Sequence, residues 1–230
     1  MLAFGDSITN GGGELQWGVA LQSWALWVAR GLGLPFTNYA VDGATAGDVL
    51  HSQIPAFERQ SARPDARYDL GCLYIGVNDV RATDWDPAAF ERDFAPALAF
   101  LAARCERTLT MTAPLSLGRP PAGPKVGELN AVVARVAGRS GTSVVDLGDF
   151  RARNRVMADR VHPTAFGQVA IAERALEVLA RDGLAPTVWP STLISYETTW
   201  RGRLRGDLNY VGRWAKDGLR ARASRRLRAP

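Results

Sequence analysis

The sequence predicts a doubly wound α/β sandwich, a parallel five-stranded sheet covered on both faces by helices. Three observations carry this expectation. Short apolar runs alternate along the chain with longer patterns of helical period. The run Leu70 to Ile75 is almost continuously apolar, as a strand covered on both faces requires. The length of 230 residues, 47% hydrophobic and 22% charged, suits one core of ordinary size.

The elements follow in order. Leu2-Ala3-Phe4 is the first strand, followed by a loop containing Gly11, Gly12 and Gly13. A helix is expected from about Trp17 to Gly31, with Trp17, Leu21, Trp24, Ala25 and Val28 on one face. That stripe reads as core-facing, which makes Trp17, Trp24 and Trp27 packing residues rather than a substrate platform. Gly31 and Gly33 end the helix. Phe36 to Ala40 is the second strand, and Ala46 to Glu58 a helical stretch that Pro55 kinks or breaks. After the strand at Leu70 to Ile75, Asp86-Pro87 supplies an N-cap and a first-turn proline to a helix reaching about Arg104. Thr108 to Thr112 is the fourth strand. Pro114 to Pro124, with four prolines and two glycines, is a surface loop. A helix from about Val126 to Gly138, a fifth strand at Ser143 to Asp146 and a helix from Thr164 to Arg181 complete the body. Right-handed crossovers leave few topologies. The most frequent is the flavodoxin-like three-layer α/β/α sandwich with strand order 2-1-3-4-5, in which ligands bind outside the carboxyl ends of the strands.

The expected division is a body over residues 1–184 and a connector with a basic extension over residues 185–230. The net charge of +5 belongs to the extension. Residues 201–230 hold ten Arg or Lys against two Asp, a surplus of eight, so the first 200 residues carry a deficit of three. Ala185 to Pro190 reads as a proline-bounded connector that leaves the body. From Asp207, the residues Leu208, Val211, Trp214, Ala215, Leu219 and Ala223 recur at helical spacing. Arg213, Lys216, Arg220, Arg222, Arg225 and Arg226 are distributed around them. Such a basic amphipathic helix suits an anionic membrane surface. Packing of its apolar face on the body or on a second subunit, with arginines left in water, is the expectation adopted here. No reader motif accompanies the charge, so no nucleic-acid partner is expected.

No apolar run approaches the roughly 18 residues of a spanning helix. The N-terminus has neither the basic start nor the apolar stretch of a secretory leader, and a cytoplasmic protein is expected. Cys72 and Cys105 read as buried thiols of a reducing compartment, with a single bridge between them the lesser reading. Neither a metal cluster nor a nucleotide-binding glycine motif is visible, so no cofactor is expected.

Chemistry gathers after the strands. Gly5-Asp6-Ser7-Ile8-Thr9 follows the first strand, Asp42-Gly43 the second, Gly76-Val77-Asn78-Asp79 the third, and Asp159-Arg160-Val161-His162-Pro163 lies beyond the fifth. Singly, each suits an ordinary turn or helix entry. Jointly, they provide what a serine nucleophile needs. Its hydroxyl requires a neighbouring base, and the chain has two histidines, of which His51 has no accompanying motif. An Asp three positions before His162 suits the role of orienting carboxylate. Ser7 is therefore expected as nucleophile, His162 as general base and acid, and Asp159 as its partner. Asp6 and Asp79 support them by bonding backbone amides of their own loops.

Together the four segments resemble the blocks of the SGNH hydrolases, the GDSL esterase/lipase superfamily, over about residues 2 to 182. Ile8 in place of the commoner Leu is a mild departure. The resemblance implies an SGNH-type fold and an oxyanion hole formed by the Ser7 and Gly43 backbone N–H groups and the Asn78 amide. Gly43 is expected because a Cβ there would obstruct the substrate. The function implied is hydrolysis of a small-molecule carboxylic ester, with a short acyl or acetyl group favoured because the rim loops offer few charges. A thioesterase or an acyltransferase would use the same residues, and an interaction module recruited by its basic tail is the reading from a different class.

Overall fold

The structure is a computed structural model that describes residues 1–16, 19–61, 66–196 and 199–226, excepting the side chains of residues 217 and 221–226. Strands β1 (Leu2–Gly5), β2 (Thr37–Asn38), β3 (Tyr68–Tyr74), β4 (Cys105–Met111) and β5 (Ser143–Val145) form one parallel sheet in the order β2-β1-β3-β4-β5. The register pairs Leu2 with Gly71, Phe4 with Leu73, and Leu109 with Ser143.

The helices are α1 (Ser7–Asn10), α2 (Trp24–Leu32), α3 (Ala46–Asp48), α4 (Ile54–Gln60), α5 (Pro87–Arg104), α6 (Lys125–Ser140), α7 (Ala165–Arg181) and α8 (Trp200–Arg226). The first packing layer joins α2 to α7, and the second joins α5 to α3 and α6. Phe4, Trp24, Phe57, Leu70, Phe94 and Leu109 are fully enclosed between these layers. Each such side chain removes enough apolar surface from water to contribute about 1.5–3 kcal/mol.

Several elements differ from expectation for local reasons. α2 starts at Trp24, because the Ser23 hydroxyl accepts the Leu26 N–H and caps the helix there. Trp24 and Trp27 are buried, whereas Trp17 lies outside the described residues. Pro55 does not break its helix. A π turn over Val49–Gln53 precedes it, joining α3 to α4 without an interruption, and a widened turn is one way a helix accommodates the donor that proline lacks. β2 is only two residues long. Asp86 caps α5 with Pro87 in its first turn, as expected. Both cysteines are buried and unbridged.

The extension departs most. The connector expected to leave the body stays on it. The Thr187 and Val188 N–H groups donate to Gly31 O of α2, the Ser191 N–H donates to Glu173 of α7, and Ile194 packs on the core. α8 begins at Trp200, seven residues before the expected position. Its orientation corrects the expectation that the apolar face packs on the body. Leu204, Leu208, Val211 and Leu219 are exposed, while Asp207, Arg213 and Trp214 make the contacts with the body. Ala223, Arg222, Arg225 and Arg226 lie outside the described side chains. Among the described residues no helix is long and apolar enough to cross a membrane.

Candidate active site

Ser7 follows β1 at the first position of α1, where the Asp6 carboxylate caps the turn by accepting the Ile8 N–H at 2.9 Å. Ser7 Oγ lies 2.9 Å from His162 Nε2, and His162 Nδ1 lies 2.7 Å from Asp159 Oδ2. Asp159 Oδ1 also accepts the backbone N–H groups of Val161 (2.9 Å) and His162 (3.1 Å). With the carboxylate accepting the Nδ1–H, Nε2 presents its lone pair to the serine hydroxyl. Arg160, between the two acidic and basic partners, adopts φ 58°, an uncommon conformation for a residue with a side chain. It brings two successive N–H groups onto one carboxylate oxygen.

The electrostatics follow from burial and these contacts. The hydrogen bond to Asp159 holds the His162 pKa above its ordinary value, against the opposing effect of burial. Burial pushes the Asp159 carboxyl upward, but its hydrogen bonds from the His162 ring and from the Val161 and His162 amides outweigh this and leave it below the ordinary value. Asp6 is almost fully enclosed and is pushed up to about 7 by that burial, despite the Ile8 N–H. Among the described residues its Oδ2 has no hydrogen-bond partner, a cost that falls as the group is protonated.

Gly43 and Asn78 belong to loops tied together over the same sheet edge. The Asn78 Nδ2 donates to Ala44 O at 2.9 Å, and Asp79 Oδ1 accepts the Ala46 N–H at 3.0 Å. The Asn10 Nδ2 donates to Asp42 Oδ1, linking the loop of Gly43 to the turn of Ser7. Gly43 adopts φ +80°, a conformation that itself favours glycine, and a Cβ there would meet no described protein atom within 4 Å. Close approach occurs at Gly12, where a Cβ would lie 2.8 Å from Ser7 O and 3.2 Å from His162 Cδ2.

Sequence reasoning missed three groups here. Gln53 brackets Gly5, its Oε1 accepting the Gly5 N–H and its Nε2 donating to Gly5 O. Gln168 of α7 donates to Ile8 O and Gly12 O and accepts the Trp24 N–H. Arg81, on a 3₁₀ turn over Asp79–Arg81, is close enough to oppose protonation of His162. No motif marks a glutamine inside a helix, and only the distant backbone groups it reaches identify its role. His51 is exposed on the π turn. Among the described residues no three His, Cys, Asp or Glu side chains group to hold a metal ion.

Comparison with curated protein sequences finds no match. Solved structures share the fold. A member of the lipolytic protein G-D-S-L family from Veillonella parvula superposes with a TM-score of 0.63 at 22% identity, over 78% of this chain and 97% of that one. LAE5, an alpha/beta hydrolase enzyme from the metagenome of Lake Arreo, gives 0.61 at 21% identity, over 78% and 94%. Axe2, an acetylxylan esterase from Geobacillus stearothermophilus, gives 0.58 at 21% identity, over 77% and 92%. The sequence profile of the GDSL-like lipase/acylhydrolase family matches residues 3–170. Because that match runs from β1 into α7 and spans every loop that bears Ser7, Gly43, Asn78, Asp159 and His162, this chain belongs to the GDSL-like lipase/acylhydrolase family.

Proposed function

We propose that this protein is a serine esterase that hydrolyses carboxylic esters with short acyl groups, acetyl foremost, through an acyl-enzyme on Ser7. The observation that carries the reading is the hydrogen-bonded series Ser7, His162, Asp159. Ser7 Oγ attacks the ester carbonyl carbon as its proton passes to His162 Nε2. Collapse of the tetrahedral intermediate breaks the bond to the alcohol oxygen, which leaves with that proton. Water then attacks the acyl-enzyme, again giving its proton to His162, and the acid departs as the proton returns to Ser7 Oγ. Asp159 holds the imidazole in the required tautomer and stabilises its charged form. The backbone N–H groups of Ser7 and Gly43 and the second Nδ2 hydrogen of Asn78 are the donors for the developing oxyanion.

The acetyl preference agrees with the acetylxylan esterase among the structural neighbours. Residues 1–184 carry the reaction in this reading.

The test is turnover of p-nitrophenyl esters of increasing acyl length. The wild type is expected to cleave the acetate fastest, with Ser7→Ala reducing the rate by about 10³-fold or more. Activity that survives Ser7→Ala, or no turnover at any acyl length, overturns the proposal.

A further inference from the structure

α8 turns toward the solvent the face that an amphipathic helix ordinarily buries. At 3.6 residues per turn, Leu204, Leu208, Val211 and Leu219 fall within an arc of about 80°. Together with Trp200 they are between 50% and 70% exposed. The contacts with the body use a different arc. Arg213 pairs with Glu14, Asp207 pairs with Arg153, and Arg119 donates to Trp214 O at 2.6 Å while its guanidinium lies over the Trp214 ring. Between α8 and the body lies a crevice of about 580 Å³ lined by Glu14, Gln16, Asn154 and Tyr210 among others. The helix is therefore held by ion pairs and polar contacts, and its aliphatic row has no partner among the described residues.

Charge decides what this row fits. Arg201, Arg205 and Lys216 lie along one border of the aliphatic arc and are exposed. Residues 201–230 as a whole carry a surplus of eight positive charges. A second copy would set that surplus against itself, at distances comparable to the roughly 10 Å screening length of 0.1 M salt. Nucleic acid would meet the charge and leave the leucines in water. An anionic lipid surface meets both, because the aliphatic row enters the headgroup and acyl boundary while the long basic side chains reach back to the phosphates. We infer that α8 is an interfacial helix that docks this protein on anionic phospholipid membranes, with Leu204, Leu208, Val211 and Leu219 inserted and the flanking basic residues on the headgroups. The inference does not depend on the esterase reading.

The experiment is cosedimentation of the full chain with vesicles of phosphatidylglycerol mixed with phosphatidylcholine, and of phosphatidylcholine alone. Partitioning is expected to be about tenfold or more stronger on the anionic vesicles, and to fall as salt is raised. The double variant Leu208→Asp with Val211→Asp is expected to lose it, while helical content by circular dichroism and turnover of a soluble ester stay unchanged. Arg201→Ala with Arg205→Ala is expected to weaken binding and flatten its salt dependence. Equal partitioning of wild type and the leucine–valine variant, or equal binding to neutral and anionic vesicles, overturns the inference. So does a dimer in sedimentation velocity that the aspartate substitutions dissociate without any vesicle binding, or retention of a DNA duplex in preference to vesicles.

Discussion

Asp159 holds His162 by two routes, one oxygen on the ring and the other on the backbone of the same turn. The ring therefore has little freedom to leave Ser7, and its charged form gains a partner that raises its pKa above 6.5. The consequence for activity has a definite sign. In the proposed mechanism His162 accepts the serine proton only when neutral, so kcat/KM is expected to rise with pH through an ionisation above 6.5. Asp159→Asn removes the main cause of that rise. Its pH profile is expected to shift toward lower pH, with turnover falling by about 10³–10⁴; an unmoved profile would show that Asp159 does not set the His162 pKa. That Ser7, Asp159 and His162 form one group was legible in the sequence, because a serine nucleophile demands particular residue types at the carboxyl edge of the sheet, and the structure brings the three side chains into one hydrogen-bonded series. The buried Asp6 was legible as a cap, but its displaced pKa was not, since that depends on how completely the surrounding core encloses it.

Elements are held in place here by glutamines as well as by apolar packing. Gln168 projects from the first turn of α7 and satisfies one N–H at the start of α2 and two carbonyls of the Ser7 turn and glycine loop. It is completely buried, and so are its bonds to the Trp24 N–H and to Ile8 O. Leaving a buried backbone group unpaired costs about 1–3 kcal/mol. Gln168→Leu is expected to lower unfolding stability by about 2–5 kcal/mol, read from the denaturant midpoint. At a temperature where the variant remains folded, kcat is expected to fall more than KM rises, because Gly12 packs against both Ser7 and His162. An unchanged midpoint would mean that water replaces the side chain. In sequence Gln168 and Gln53 look like polar positions on amphipathic helices, and their partners lie from 48 to 160 residues away. Helix existence and order were legible from periodicity. The start of α2 and the π turn were not, because a single hydroxyl cap and a proline accommodated without a break decide them.

At the scale of the whole molecule, the sheet and its two helical layers form one core that ends, among the described residues, at Ile194. No described side chain of α8 joins it. Amphipathic spacing revealed which residues of α8 share a face, but not which way that face would turn. Pairings with Glu14, Arg119 and Arg153, far away in sequence, determine it. Exposed ion pairs contribute only about 0–1 kcal/mol each, so the attachment of α8 is weak compared with the core beneath it. Glu14→Gln combined with Asp207→Asn removes both carboxylates while preserving side-chain size. The denaturant midpoint of the body is expected to stay within about 1 kcal/mol of the wild type, because no buried group loses a partner. Trypsin is expected to cut within α8 several times faster, since local opening exposes its arginines without opening the core. Equal cleavage rates would show that the remaining Arg119 contacts suffice to hold the helix, and a large fall in the midpoint would show that α8 unfolds together with the sheet.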